Sequence, residues 1–169
     1  DSGARLVDLL TGQVTTLPRQ SQYDEPARLL AWGFSWSPDS RYVGFIVGNT
    51  LRRVDTTGGP PETVASFSTA AVVGLGTWNR HGDIVLGSWG GGSGGPLWRV
   101  SSAGGAATAV TQVDLSKGEF VHTWPTFLPD GKHFVYFRSG PTDAEGMYVG
   151  SLDVDAGNLA DMATALGCR

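Results

Sequence analysis

Short runs in which apolar residues largely alternate with others fill most of this chain, and most runs end at or beside glycine, proline, aspartate or serine. A period of two is what a strand with one buried face requires. Strands are predicted over 4–8, 14–17, 29–37, 42–47, 51–55, 62–65, 72–78, 83–88, 96–100, 107–110, 120–127, 132–138 and 147–153. The stretch 19–27 is polar, flanked and punctuated by Pro18 and Pro26, and reads as a loop. The pattern fails after Asp153. Residues 158–166 favour helix by propensity, and Leu159, Met162, Ala163 and Leu166 fit one helical face, so helix and disorder both stay open there.

The runs repeat. Trp36-Ser37-Pro38-Asp39-Ser40-Arg41-Tyr42-Val43-Gly44-Phe45-Ile46 returns as Leu128-Pro129-Asp130-Gly131-Lys132-His133-Phe134-Val135-Tyr136-Phe137, and in eroded form as Trp78-Asn79-Arg80-His81-Gly82-Asp83-Ile84-Val85-Leu86-Gly87. Proline fixes φ for the second position of a tight turn, aspartate suits the third and a small residue closes it. The aromatics that lead the turns, Trp36, Trp78 and Phe127, lie 42 and then 49 residues apart. Gly58-Gly59 recurs as Gly104-Gly105, 46 residues on. Four short antiparallel strands at this period make one blade of a propeller. The expected fold is therefore all-β: one domain over 1–169 that is a partial β-propeller of about three four-stranded antiparallel blades plus half of another. The half blade is placed at 1–17, the blades at 28–65, 70–111 and 119–153, and an irregular or helical tail at 154–169. The third blade is expected to lack its own last strand. Ser40 and His81, which stand where the repeat has Gly and Asp, should weaken their turns.

Composition narrows the partners. Twelve basic against 16 acidic residues give a net charge of −4, and no basic cluster exceeds Arg52-Arg53, which argues against a nucleic-acid surface. Cys168 is the sole cysteine, so neither an internal disulfide nor a zinc site is expected. No run approaches the 18 or so apolar residues of a membrane helix. The start, Asp1-Ser2-Gly3-Ala4-Arg5, has no initiating Met and no signal-peptide core, as in a mature product or an excised piece of a longer protein. Three and a half blades do not close a ring, and open strand edges invite pairing. A larger propeller or a homodimer meeting edge to edge is expected.

The repeat resembles the TolB-type, WD40-like β-propeller unit: aromatic-Ser-Pro-Asp-Gly, an apolar strand, a strand ending in Asp, Gly-Gly, and a last strand. Trp36 to Asp39, Leu51 to Gly59 and Leu97 to Gly105 carry the resemblance. Trp124 to Gly131 and Met147 to Asp153 are further similar to the propeller segment that follows some bacterial membrane-spanning Ser/Thr protein kinases. The resemblance implies a noncatalytic binding or scaffold module, the sensor part of a larger bacterial protein, on the extracytoplasmic or periplasmic side; a cytoplasmic place also fits the single cysteine. The alternatives are the propeller lid of a prolyl-oligopeptidase-type serine peptidase and a TolB-like periplasmic scaffold.

Candidate chemistry is sparse. Trp36, Trp78 and Phe127 are read as packing between blades before ligand platforms. Gly91-Gly92-Ser93-Gly94-Gly95 has the G-x-S-x-G form, but it joins two strands, and a nucleophile elbow needs a strand, a helix and a following acid and histidine. A mobile hairpin loop is the plainer reading. His81 and His133 should face solvent. Glu119, His122 and Trp124 come together where a loop enters the innermost strand of a blade, a place that lines the central funnel. A histidine beside a carboxylate can serve as base or pH sensor, or simply cap a strand. Tyr23, Glu25 and Trp32, and Trp89 beside the glycine loop, are comparable rim positions for a protein, peptide or small ligand. No catalytic residue, metal or cofactor is expected.

Overall fold

The computed structural model describes residues 5–7, 14–16, 34–67, 72–88, 94–142 and 145–153. A hairpin, β1 (Arg5–Val7) and β2 (Val14–Thr16), comes first. Three antiparallel meanders follow. The first holds β3 (Phe34–Trp36), β4 (Tyr42–Val47), β5 (Thr50–Asp55) and β6 (Glu62–Ser66). The second holds β7 (Val72–Trp78), β8 (Asp83–Ser88), β9 (Trp98–Ser101) and β10 (Thr108–Ala109). The third holds β11 (Val121–Phe127), β12 (His133–Ser139) and β13 (Gly146–Ser151), three strands among the described residues. The tail at 154–169 lies outside them.

Each sheet opens on the repeated turn, held in a different way each time. Asp39 Oδ1 accepts the Arg41 N–H at 3.0 Å, and Asp130 Oδ1 accepts the N–H groups of Lys132 and His133. In the eroded copy Asn79 takes over: its Oδ1 accepts the N–H groups of His81 and Asp83 at 2.9 and 2.8 Å. The loss of aspartate at His81 is thus compensated from two positions earlier. The closing residue sits in the left-handed region in all three, with φ of 59° at Ser40, 87° at Gly82 and 73° at Gly131. Glycine adopts this without a Cβ penalty, whereas serine does not.

The sheets stack face to face. Ile84, Leu86 and Val100 of the second sheet share one core with Ile46, Leu51, Val64, Ala65 and Phe67 around the first. Val85, Leu97 and Val110 share another with Phe134 and Tyr136 of the third. Residues 84–88 are all buried, because β8 is covered on both faces, and a doubly covered strand reads as a continuous apolar run. Each fully buried large apolar side chain contributes about 1.5–3 kcal/mol. Hydrogen bonds tie sheet to sheet: Asn79 Nδ2 to the Gly131 carbonyl at 2.7 Å, the Phe127 N–H to Thr77 Oγ1 at 3.1 Å, and Arg53 Nη1 to the Ser102 carbonyl at 2.9 Å.

Two of the three turn-leading rings pack between sheets. Trp78 stacks on Tyr42 with centroids 6.4 Å apart, and Phe127 meets Phe134 edge-on at 6.1 Å. Trp36 departs from the expectation and is 51% exposed. It pairs with Val43 on the face of the first sheet turned away from the second, a face on which Val43 and Val54 are themselves buried.

Candidate functional site at the loop face

Antiparallel meanders put the β3–β4, β7–β8 and β11–β12 turns at one end of the stack and the β8–β9 and β10–β11 connections at the other. At this second end two loops are clamped together. The Gly95 N–H donates to the Phe120 carbonyl at 3.1 Å, and the His122 N–H donates to the Gly95 carbonyl at 2.9 Å, forming a parallel bridge. Gly94 makes the approach possible, because a Cβ there would lie 1.8 Å from the Phe120 carbonyl oxygen.

Beneath the clamp sits a buried polar cluster. The Glu119 carboxylate accepts from Arg138 Nη1 at 2.6 Å through Oε1, and from the Asp114 N–H at 2.8 Å through Oε2. Arg138 Nη2 donates to the Tyr136 hydroxyl at 3.2 Å, and its guanidinium carbon lies 3.9 Å from the centre of the Tyr148 ring. Thr111 Oγ1 accepts the Leu97 N–H at 2.8 Å and lies 2.8 Å from His122 Nδ1. With the Thr111 hydroxyl donating to Nδ1, the tautomer assigned to His122 carries its proton on Nε2, 3.4 Å from Glu119 Oε2. That distance gives electrostatic contact without an aligned hydrogen bond, and Nε2 has no hydrogen-bond partner.

His122 and Glu119 are 0% and 3% exposed. Burial pushes the imidazole down to about 4; the Arg138 charge adds to this and Glu119 partly opposes it. His122 is therefore neutral at pH 7, packed 5.2 Å from the Tyr136 ring. Burial likewise raises the Tyr136 hydroxyl above its ordinary value. The arrangement is a lock: one carboxylate pins the start of the 114–119 loop to β12 through a buried ion pair. Its chemistry is positioning. Proton transfer with solvent would need an opening that these distances do not provide.

Outside the lock lies an open pocket of about 420 Å³, lined in part by Gly95, Pro96, Ala109, Thr111, Leu115 and Phe120. Leu115, on a 3₁₀ turn at Leu115–Lys117, is 73% exposed, and Phe120 is 43% exposed. The Asp114 side chain caps that turn by accepting the Ser116 N–H, and Gly118 closes it at φ 73°. A second cleft of about 420 Å³ lies at the opposite end, among Tyr42, Arg53, Trp78, Arg80 and Ser102.

Of the residues singled out from sequence, Glu119 and His122 do meet, and both are buried. Trp124 stands apart on the surface, 5.4 Å from the Phe137 ring. It occupies a bulge in β11 between Thr123 and Thr126 and has φ 53°, uncommon for a bulky residue. Tyr23, Glu25, Trp32, Trp89 and Ser93 lie outside the described residues. His81 is exposed, and His133 is half-buried with Nδ1 2.6 Å from Asp130 Oδ2. Sequence reading missed Thr111, Tyr136 and Arg138. Arg138 did leave a signal, since it shares the inward parity of Phe134 and Tyr136 in β12, where a charge needs a partner. Among the described residues no cluster of three or more metal-ligating side chains occurs, and no helix is long and apolar enough to cross a membrane.

No family model and no curated protein matches the chain. Solved structures do. A putative TolB from Agrobacterium tumefaciens is 22% identical over 75% of this chain and 44% of its own, with a TM-score of 0.58. TolB from Acinetobacter baumannii is 17% identical over 90% of this chain and 36% of its own, at 0.64. Oligogalacturonate lyase from Vibrio parahaemolyticus is 15% identical over 89% of this chain and 45% of its own, at 0.62. The fold is that of a partial β-propeller. The chain spans less than half the length of each of these three propeller proteins.

Proposed function

We propose that this chain is a noncatalytic propeller module that binds a peptide, protein or small ligand at its loop face. The observation that carries this reading is the pocket walled by exposed Leu115 and Phe120 and held in shape by the buried Glu119–Arg138 pair. Exposed apolar groups around a concave site are what a recognition surface needs. The noncatalytic reading is supported by His122, the one histidine of the site, which is fully buried, neutral and engaged by Thr111. The resemblance to TolB favours a scaffold outside the cytoplasm, and the sequence resemblance favours the sensor part of a larger bacterial protein. A kinase and a membrane helix encoded upstream in the same reading frame would support that context; a hydrolase encoded downstream would point to a peptidase lid.

Selection of the full chain against a displayed random-peptide library tests the binding surface. Enriched peptides are expected to lose binding to Leu115→Asp and Phe120→Ser while the far-ultraviolet spectrum is unchanged. Peptides that bind both variants as well as the parent would place recognition elsewhere.

A further inference from the structure

Two junctions between stacked sheets lie at the turn end, and they are closed differently. Between the second and third sheets the Asn79 carboxamide reaches across and donates to the Gly131 carbonyl at 2.7 Å. The closing hydrogen bonds of the three turns run from the Ser40 N–H to the Ser37 carbonyl, from Gly82 to Asn79 and from Gly131 to Leu128. Ser37 is therefore the counterpart of Asn79, and Gly82 that of Gly131. Ser37 does not bridge. Its hydroxyl stays in its own turn, donating to Asp39 Oδ1 and accepting the Tyr42 N–H at 2.8 Å. The junction between the first and second sheets is left as the cleft of about 420 Å³ that has Ser37 on one side and Gly82 on the other.

The cleft carries charges of both signs. Arg80 lines it from the second sheet, at the place where the other two turns have Pro38 and Pro129. The turn itself does not need this arginine, since Asn79 Oδ1 accepts the N–H groups of His81 and Asp83. Arg80 is exposed, and among the described residues its guanidinium meets no carboxylate; its Nε lies 3.4 Å from His81 Nε2. Arg53 lines the cleft from the first sheet, with its side chain 25% exposed. It donates through Nη1 to the Ser102 carbonyl at 2.9 Å and through Nε to Glu62 Oε2 at 3.0 Å, and its Nη2 lies 2.9 Å from the same oxygen. Each terminal nitrogen carries a second N–H, so the guanidinium keeps donors for a ligand. The acid is Asp39, exposed in the turn of the first sheet. The Ser37 hydroxyl and the Arg41 N–H occupy its Oδ1 and hold the carboxyl below its ordinary value, so it stays charged, and Oδ2 is open among the described residues. The half-buried rings of Tyr42 and Trp78, stacked 6.4 Å apart, add an apolar wall.

We infer that this cleft is a second binding site, for a small zwitterion: a free amino acid or short peptide with an apolar side chain, its carboxylate on Arg80 and Arg53, its ammonium group on Asp39 Oδ2 and its apolar part against Tyr42 and Trp78. Charge decides the class of ligand. Glu62 offsets Arg53 and Asp39 offsets Arg80, so the surroundings are close to neutral as a whole and polar in parts. A bare anion would meet Asp39 and a bare cation would meet two arginines, whereas a molecule with both charges is opposed by neither. Charge-assisted hydrogen bonds to a guanidinium and a carboxylate fix its direction. The volume lies in the range of about 300–1,000 Å³ usual for small-molecule sites. Asn79 shows within the same chain that a polar group held between neighbouring turns is compatible with the stack.

Titration of the full chain with phenylalanine, followed by amide NMR at constant pH and ionic strength, is expected to shift the Arg80, Gly82 and Ser102 signals saturably below about 10 mM. Hydrocinnamate keeps the acid and the ring, and phenethylamine the amine and the ring; each is expected to bind about tenfold more weakly. Phenylalanylglycine tells a peptide from a free amino acid, and binding by either supports the site. Arg80→Gln, a change at an exposed side chain, is expected to weaken phenylalanine about tenfold with the far-ultraviolet spectrum unchanged. Asp39→Asn keeps the acceptor that the turn uses and is expected to abolish the preference for phenylalanine over hydrocinnamate. No saturable shift at these amides, equal binding of phenylalanine and hydrocinnamate by the parent chain, or full binding by Arg80→Gln overturns the inference. Leu115→Asp and Phe120→Ser, at the other end of the stack, are expected to leave this titration unchanged, so failure here and failure of the loop-face reading are distinguishable.

Discussion

At the scale of single residues, the structure shows where side chains are held against their own preference. Ser40 occupies a left-handed position that Gly82 and Gly131 fill in the other two copies of the turn. Ser40→Gly is expected to raise the unfolding free energy by about 0.5–1 kcal/mol, read from the urea midpoint. Glu119 is the opposite case, since it satisfies Arg138 from within the protein. Removing one partner of a buried ion pair strands the other, so Glu119→Ala is expected to cost about 3–5 kcal/mol in the same assay. His122 links stability to pH. Its folded value of about 4 lies below the ordinary 6.5, so between these the unfolded chain takes up a proton that the folded chain refuses. Stability from this group is complete above pH 6.5 and is lost as pH falls towards 4, by on the order of 3 kcal/mol. The groups around the ring are Glu119, Arg138, Tyr136 and Thr111. His122→Gln is expected to flatten that part of the urea-midpoint profile between pH 4 and 6.5.

At the scale of elements, alternation and turn chemistry made the strands legible. The predicted 42–47 and 83–88 match β4 and β8, and 120–127 differs from β11 by one residue. What sequence could not show was which neighbour each face meets. Trp36 and Trp78 lead the same turn, yet among the described residues only Trp78 stacks on a ring of the neighbouring sheet, 6.4 Å from Tyr42, while Trp36 is half exposed. Trp78→Ala is accordingly expected to cost about 3–5 kcal/mol, and Trp36→Ala, at a half-exposed ring, under about 1 kcal/mol. The lock was half legible. Glu119 and His122 sit three residues apart and are legible together, whereas Thr111 and Arg138 reach them only through the approach of the β10 end and the pairing of β11 with β12. At Gly94 the backbone meets Phe120 too closely for any side chain, a contact between distant loops that no local sequence pattern announces.

At the scale of the whole molecule, the second sheet is the middle layer, and everything else is positioned from it. Its β8 lends Ile84 and Leu86 to one core and Val85 to the other. The loop-face pocket and the lock both depend on the third sheet being seated against that strand. Native-state hydrogen exchange on the full chain measures this layering most directly. The amides of Ile84, Val85 and Leu86 should be among the slowest in the protein, well behind those of β6 and β13 at the sheet margins. Exchange of those three amides as fast as β6 would mean that β8 is not covered on both faces, and the stacked-sheet arrangement would be contradicted.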